Sequence, residues 1–260
     1  AEKTSARLFG DHFEAMRIFR EEYSNFQSVA DALESSADAL SPETLARLVS
    51  ALYEYWQAAG TDGEAAERFE RSLEKTGLSD KLRAELLMKR ARNLNSLGFY
   101  AAAEKASLES QALSAENYPA LCAWAHLTAG VSFFHRGDLP RARGQYETAR
   151  GLFENSGDKI GLAGILGNLG GLYTDIGELD RVEPLLLRAC ELYREAGDSR
   201  RLAYAISNLG NLYLAKKDPV KAELKFREAI SHLEKNGWLW LVDLGYNPLG
   251  GMAEEKGDFQ

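Results

Sequence analysis

The chain has 260 residues, 45% of them apolar and 27% charged, the composition of an ordinary globular protein. Its 39 acidic and 31 basic residues give a net charge of -8, which excludes a sequence-independent grip on nucleic-acid phosphates but leaves a local basic patch open. Two cysteines are too few for a disulfide framework, and no apolar run approaches the roughly 18 residues that span a bilayer.

The chain opens on Ala1, Glu2, Lys3 and Thr4, with no signal peptide and no initiator Met. It stops at Gln260, where a further helix would begin. This pattern leads us to expect an excised piece of a longer, cytoplasmic protein. Residues 5–37 read as two irregular helices, and 1–40 are assigned to an N-terminal helical cap. Ser41, Pro42 and Glu43 form a clean helix start, and from there 41–260 are expected to form one superhelical repeat domain, truncated within its last repeat. First helices are predicted near 43–59, 81–97, 120–136, 160–176, 200–216 and 240–256. Second helices are predicted near 64–75, 100–114, 140–155, 180–195 and 219–235. No strand pattern interrupts this total of about thirteen helices.

The repeat is visible because Gly130, Gly170, Gly210 and Gly250 are each 40 residues apart. Other columns keep the same period: Ala142, Val182 and Ala222; Tyr146, Leu186 and Phe226; Ala149, Ala189 and Ala229. Small and large apolar residues alternate at helical spacing, as a helix needs when it packs on its partner and on the next pair. Asp218 with Pro219 reads as an N-cap followed by a first-turn proline, and Pro140 and Pro184 also fall within first turns. Gly157 and Gly197 are expected to end second helices as left-handed caps. The pattern continues backwards at a 39-residue offset through Ala91 and Gly98, then through Leu52, Tyr53, Ala65 and Phe69 with a small insertion. Cys190, among Leu185, Leu186, Leu187 and Leu192, is expected to be a buried, reduced thiol.

The run Leu169, Gly170, Tyr173, Val182, Leu186 and Ala189 resembles the tetratricopeptide repeat, with a period of 40 where about 34 is usual. The Asn-Leu-Gly cores at Asn168 and Asn208 look like the longer-repeat subgroup of kinesin light chains and bacterial regulators. The resemblance covers residues 43–260 and implies an all-α, right-handed α-solenoid of tetratricopeptide-like hairpins. A second stretch, from Phe19 to Leu33, resembles a segment that follows the ATPase module in bacterial STAND-class signal-transduction ATPases and LuxR- or AfsR-like transcriptional regulators. Only Glu22, Asn25 and the apolar spacing carry over, since Tyr23 and Ser24 stand in place of the usual His and Asp. That resemblance implies a sensor arm controlling an effector module.

Motifs for chemistry are missing. There is no phosphate-binding loop and no Gly-x-Ser-x-Gly elbow, and His12, His126, His135 and His232 have no neighbour at metal-ligand spacing. No catalytic residue, metal or cofactor is assigned, and an enzyme is set aside. The candidate site is a surface. Gly164, Gly167 and Gly171 interrupt one helix and, by the resemblance, fall on the concave side. They either form a depression that admits a ligand or serve close helix approach. Asn168 and Asn208 either bind an extended peptide through donor and acceptor together or close bonds within the repeat. Trp124, Leu127 and Val131, with Phe134, would make one flank apolar, and Tyr204, Ser207 and Asn211, with Leu214, would make the other polar, although Trp124 and Phe134 also suit an inter-helix core. In the fourth copy Pro248 stands at the Asn position.

The expected partner is a protein or peptide, or a small-molecule inducer, with no direct nucleic-acid binding and no membrane. The expected role is a non-catalytic sensor arm of a bacterial signalling or transcriptional regulator. The alternative is a freestanding scaffold or adaptor. Trp238 and Trp240 would either pack on a following repeat or form a partner-contact patch, and the C-terminal end left exposed by truncation would allow a dimer.

Overall fold

A computed structural model describes residues 12–35, 42–59 and 61–235. Among the described residues are eleven α-helices and no strand. They are α1 (His12–Ser35), α2 (Pro42–Ala59), α3 (Asp62–Glu74), α4 (Asp80–Ser96), α5 (Tyr100–Ser114), α6 (Pro119–His135), α7 (Leu139–Ser156), α8 (Lys159–Asp175), α9 (Val182–Glu195), α10 (Ser199–Ala215) and α11 (Pro219–Lys235). A 3₁₀ turn, Leu179–Arg181, leads into α9. This is an all-α solenoid of helical hairpins. The helix expected over 240–256, with Gly250, Trp238, Trp240 and Pro248, lies outside the described residues.

Of residues 5–37, where two irregular helices are expected, 12–35 form one continuous helix, a segment with neither Gly nor Pro, and the rest lies outside the described residues.

The chain divides after Leu152, inside α7, into two compact units. In the first, α1 packs on the α2/α3 hairpin, and Tyr23 and Phe26 rest on a core of Leu45, Val49, Trp56, Phe69 and Leu86. Polar bonds fasten it too: the Tyr23 hydroxyl donates to Glu64 (2.5 Å) and accepts from the Trp56 indole (2.7 Å), while Gln27 donates to the same carboxylate (2.9 Å). First helices α2, α4 and α6 lie side by side. The second unit holds the end of α7 and the hairpins α8/α9 and α10/α11, whose first helices also touch.

The periodic columns are the core. Ala142, Val182, Ala222, Tyr146, Leu186, Phe226, Ala149, Ala189 and Ala229 are all at most 2% exposed. Among the described residues, the ladder glycines 130, 170 and 210 each leave room for the large residue sixteen positions on. A methyl built on Gly210 would meet the Phe226 ring at 2.5 Å, one on Gly170 would meet Leu186 at 3.2 Å, and one on Gly130 would overlap the Tyr146 ring. These glycines are packing positions. Cys122 and Cys190 are buried free thiols, and burial pushes Cys190 up to about 11.

Turns repeat as strictly as the core. Asp138, Asp158, Asp198 and Asp218 each accept the backbone N–H three residues on, the N-cap geometry. The cation following the acidic turn residue covers an aromatic ring at the end of the first helix: Arg141 lies 4.5 Å from the Phe133 centroid, Arg181 4.0 Å from Tyr173 and Lys221 5.4 Å from Tyr213. The same cations pair with Asp138, Glu178 and Asp218. Between first and second helix the chain needs a left-handed residue, supplied by Gly137 and Gly177 at φ near +80°. Gly98 does the same between α4 and α5 at φ 81°, and Lys217 holds the equivalent place between α10 and α11 at φ 58°.

Candidate functional site

Glycines on the ladder face their own second helix, so the other side of each first helix is where a partner would find access. In the second unit this side combines parts of α8 and α10. Gly164, Gly167 and Asn168 are half-buried there, and Gly171 is exposed. Across from them on α10, Tyr204 is half-buried and Asn208 and Asn211 are exposed. Ser207 differs: it is only 4% exposed and interacts within the protein, so it lies beneath this face.

Two open alternatives can be compared with this geometry. A methyl built on Gly167 or Gly171 meets no atom within 4 Å. Close helix approach therefore does not require these two glycines, in contrast to Gly210. Gly161, in the same run, does serve packing, since the Phe153 ring occupies the space a methyl would take. The side-chain amides of Asn168, Asn208 and Asn211 make no hydrogen bond to protein among the described residues, so a bond within the repeat does not hold them. An open backbone strip beside amides offering donor and acceptor together can pair with unpaired N–H and C=O groups of an extended chain. Burial pushes the Tyr204 hydroxyl above the usual phenol range, so it stays a neutral donor and acceptor.

Trp124, Leu127 and Val131 are half-buried on α6, in the first unit. Their surroundings are largely satisfied internally. Asn95 donates to the Thr128 carbonyl (3.1 Å) and accepts from Ser132 (2.9 Å), tying α4 to α6. Gln145 accepts from Gln111 (3.0 Å) and bonds the Nδ1 of His126 (2.6 Å). Burial holds His126 below the usual imidazole range, and the Gln145 bond opposes this only in part. Lys89 donates to the Ser50 carbonyl (3.0 Å) and hydroxyl (2.7 Å) and pairs with Glu85 (3.1 Å). Burial alone would raise the Glu85 carboxyl, but Lys89 and Ser50 hold it below the usual range.

Arg92 was not singled out from the sequence. Its guanidinium carbon lies 5.4 Å from the Tyr53 ring centroid and 5.6 Å from that of Trp124, between α2 and α6. The column Asn211, Gly171 and Val131, carried back by the 39-residue offset of the α4 hairpin, arrives at Arg92. Among the described residues no group of three or more His, Cys, Asp or Glu is placed to hold a metal, and no helix is long and apolar enough to cross a membrane.

A family model described as "Tetratricopeptide repeat" matches residues 161–235. None of the curated proteins compared matches the sequence significantly. Among solved structures, BtubC (BKLC) from P. vanneervenii is 21% identical with a TM-score of 0.62, covering 85% of this chain and 90% of its own. The apo form of RapI is 16% identical at TM-score 0.63, covering 94% and 95%. A Rap protein complexed with Competence and Sporulation Factor is 15% identical at TM-score 0.63, covering 97% of this chain and 75% of that one. At these identities the likeness is one of fold.

Proposed function

We propose that this chain is a non-catalytic recognition module that binds a peptide segment of a protein partner on the first-helix face of α8 and α10, and that it serves as the sensor arm of a bacterial signalling or transcriptional regulator. The observation that carries the binding reading is the open strip at Gly167 and Gly171 beside the amides of Asn168, Asn208 and Asn211, which make no hydrogen bond to any described residue. The fold likeness to a Rap protein solved with Competence and Sporulation Factor supports a solenoid of this kind as a receptor. The sensor role rests on the resemblance of the Phe19–Leu33 stretch.

A second reading, a freestanding adaptor, is favoured by one observation: the match takes in 90% of BtubC and 95% of RapI, so solenoids of about this length are solved as chains of their own. A full-length gene product with no ATPase or DNA-binding segment would decide for the adaptor.

Binding itself is tested with a peptide library displayed on phage and panned against the purified chain. Gly167→Leu and Asn208→Ala should each weaken the selected peptide by about tenfold, the effect of a filled depression or a lost hydrogen bond, with far-UV dichroism unchanged. If both variants fold and bind as the parent does, the α8/α10 face is not the site.

A further inference from the structure

We propose that Arg92 is an anion-binding group on the first-helix face of the first unit, and that its ligand is a carboxylate. This inference is independent of the α8/α10 face, since it uses residues of the first unit alone.

The first argument is satisfaction. A guanidinium carries five N–H donors, and a half-buried one ordinarily finds acceptors. Arg92 makes no hydrogen bond and no ion pair to any described residue. On the same chain Arg68, Arg83, Arg90, Arg136, Arg181 and Arg201 all have carboxylate partners, so acidic groups are not scarce.

The second is preorganisation. The guanidinium carbon lies over the rings of both Tyr53 from α2 and Trp124 from α6, at centroid distances of 5.4 and 5.6 Å. Cation–π contact with two rings restrains the guanidinium while using none of its N–H donors. Tyr53 is fully buried and Trp124 half-buried, so the clamp is built on packed helices.

The third is charge. Lys89, one turn earlier, is already used by Ser50 and Glu85. Glu54 and Asp62 lie within electrostatic range of the Tyr53 hydroxyl, as Arg92 does, and Asp62 is engaged by the Asn93 amide. One uncommitted positive charge among these acids suits a singly charged carboxylate better than a dianionic phosphate. The carboxylate could belong to a peptide side chain or to a free acid, and bidentate pairing with the fork serves both.

The test follows the Trp124 indole N–H in two-dimensional NMR of the whole chain, assigned through Trp124→Phe. Acetyl-Gly-Asp-Gly-amide, acetate, inorganic phosphate and the neutral acetyl-Gly-Asn-Gly-amide are titrated in turn. The expected result is a saturable shift in the millimolar range with the aspartyl peptide and with acetate, and none with the asparaginyl peptide. Tighter binding of the peptide points to a side chain, and equal binding to a free acid. Arg92→Gln should weaken the carboxylate about tenfold or more, the loss of one charge-assisted pair. Arg92→Lys, which keeps the charge without the fork, should weaken it less and carries the test if Arg92→Gln does not fold. Undiminished binding by a folded variant without the guanidinium, an equal shift from the asparaginyl peptide, or tighter binding of phosphate overturns the proposal.

Discussion

The same substitution, glycine to alanine, should change stability in opposite directions at three helical positions of the second unit. At Gly167 the added methyl enters open space, so only the backbone gain remains, about 0.5–1 kcal/mol in favour of alanine. At Gly170 it meets Leu186 at 3.2 Å, a branch that can yield by a few tenths of an ångström, and the two effects should nearly cancel. At Gly210 it meets the Phe226 ring at 2.5 Å. That ring is fully buried and must retreat by about 1 Å to restore van der Waals distance, and overpacking of this sort costs about 1–3 kcal/mol, more than the helix gains.

Urea unfolding followed by helicity should therefore order the midpoints Gly167→Ala, parent with Gly170→Ala, then Gly210→Ala. In a thermal scan, each kcal/mol corresponds to about 2–4 °C for a chain of this size. A destabilised Gly167→Ala, or a Gly210→Ala equal to the parent, would refute the assignment of open and packed glycines. The series also bears on function: if Gly167 is kept for recognition, Gly167→Ala should be more stable and bind less.

Three further outcomes follow from single residues. Lys217 stands at φ 58° where Gly137 and Gly177 stand in the other turns, so Lys217→Gly should raise the unfolding midpoint by about 0.5 kcal/mol and Gly177→Lys should lower it, the left-handed cost outweighing the entropy of glycine. The Tyr53 hydroxyl is buried with no partner among the described residues, so Tyr53→Phe should be neutral or stabilising by about 1 kcal/mol; a loss of that size in denaturant titration would mean the hydroxyl is bonded. The Tyr213 hydroxyl (2.7 Å), then Lys216 (3.2 Å), hold the Glu183 carboxyl below the usual carboxylate range. A depressed folded pKa contributes stability above the unfolded value that is lost as pH falls through the folded one, so acid unfolding of Tyr213→Phe should be less steep below about pH 4.5 than that of the parent.

The helix boundaries were legible because their signals are local. An Asp whose side chain takes the N–H three residues on, a glycine at positive φ and a first-turn proline act within one turn, and the first two recur at a spacing of 40, as in Asp158 and Asp198 or Gly137 and Gly177. The α4/α5 turn keeps the left-handed glycine, Gly98, but lacks the Asp: Phe99 stands at the acidic cap position and Ala102 at the cation position, and Phe99 is left 60% exposed with no capping bond. The role of Gly161 was hidden for the opposite reason. Its demand comes from Phe153 on the preceding helix, and the matching residues in neighbouring copies are Leu121 and Arg201, so no column announces it.

The candidate site divides along the same line between constant and varying columns. Ladder positions keep glycine because the residue sixteen places on stays large, so constancy there reports packing. The column Arg92, Val131, Gly171 and Asn211 occupies equivalent places on successive first helices yet changes chemistry at every step, from cation to apolar to bare backbone to amide. Packing against a repeating partner cannot demand four different residues at one repeated position. Of the four, Gly171 meets nothing within 4 Å of a built methyl, and Arg92 and Asn211 bond no described residue through their polar ends. Such local disagreement between a residue and its fold is where function is to be sought. Both binding proposals draw on this column, Gly171 and Asn211 in the second unit and Arg92 in the first, and they stand or fall with the variants named for them.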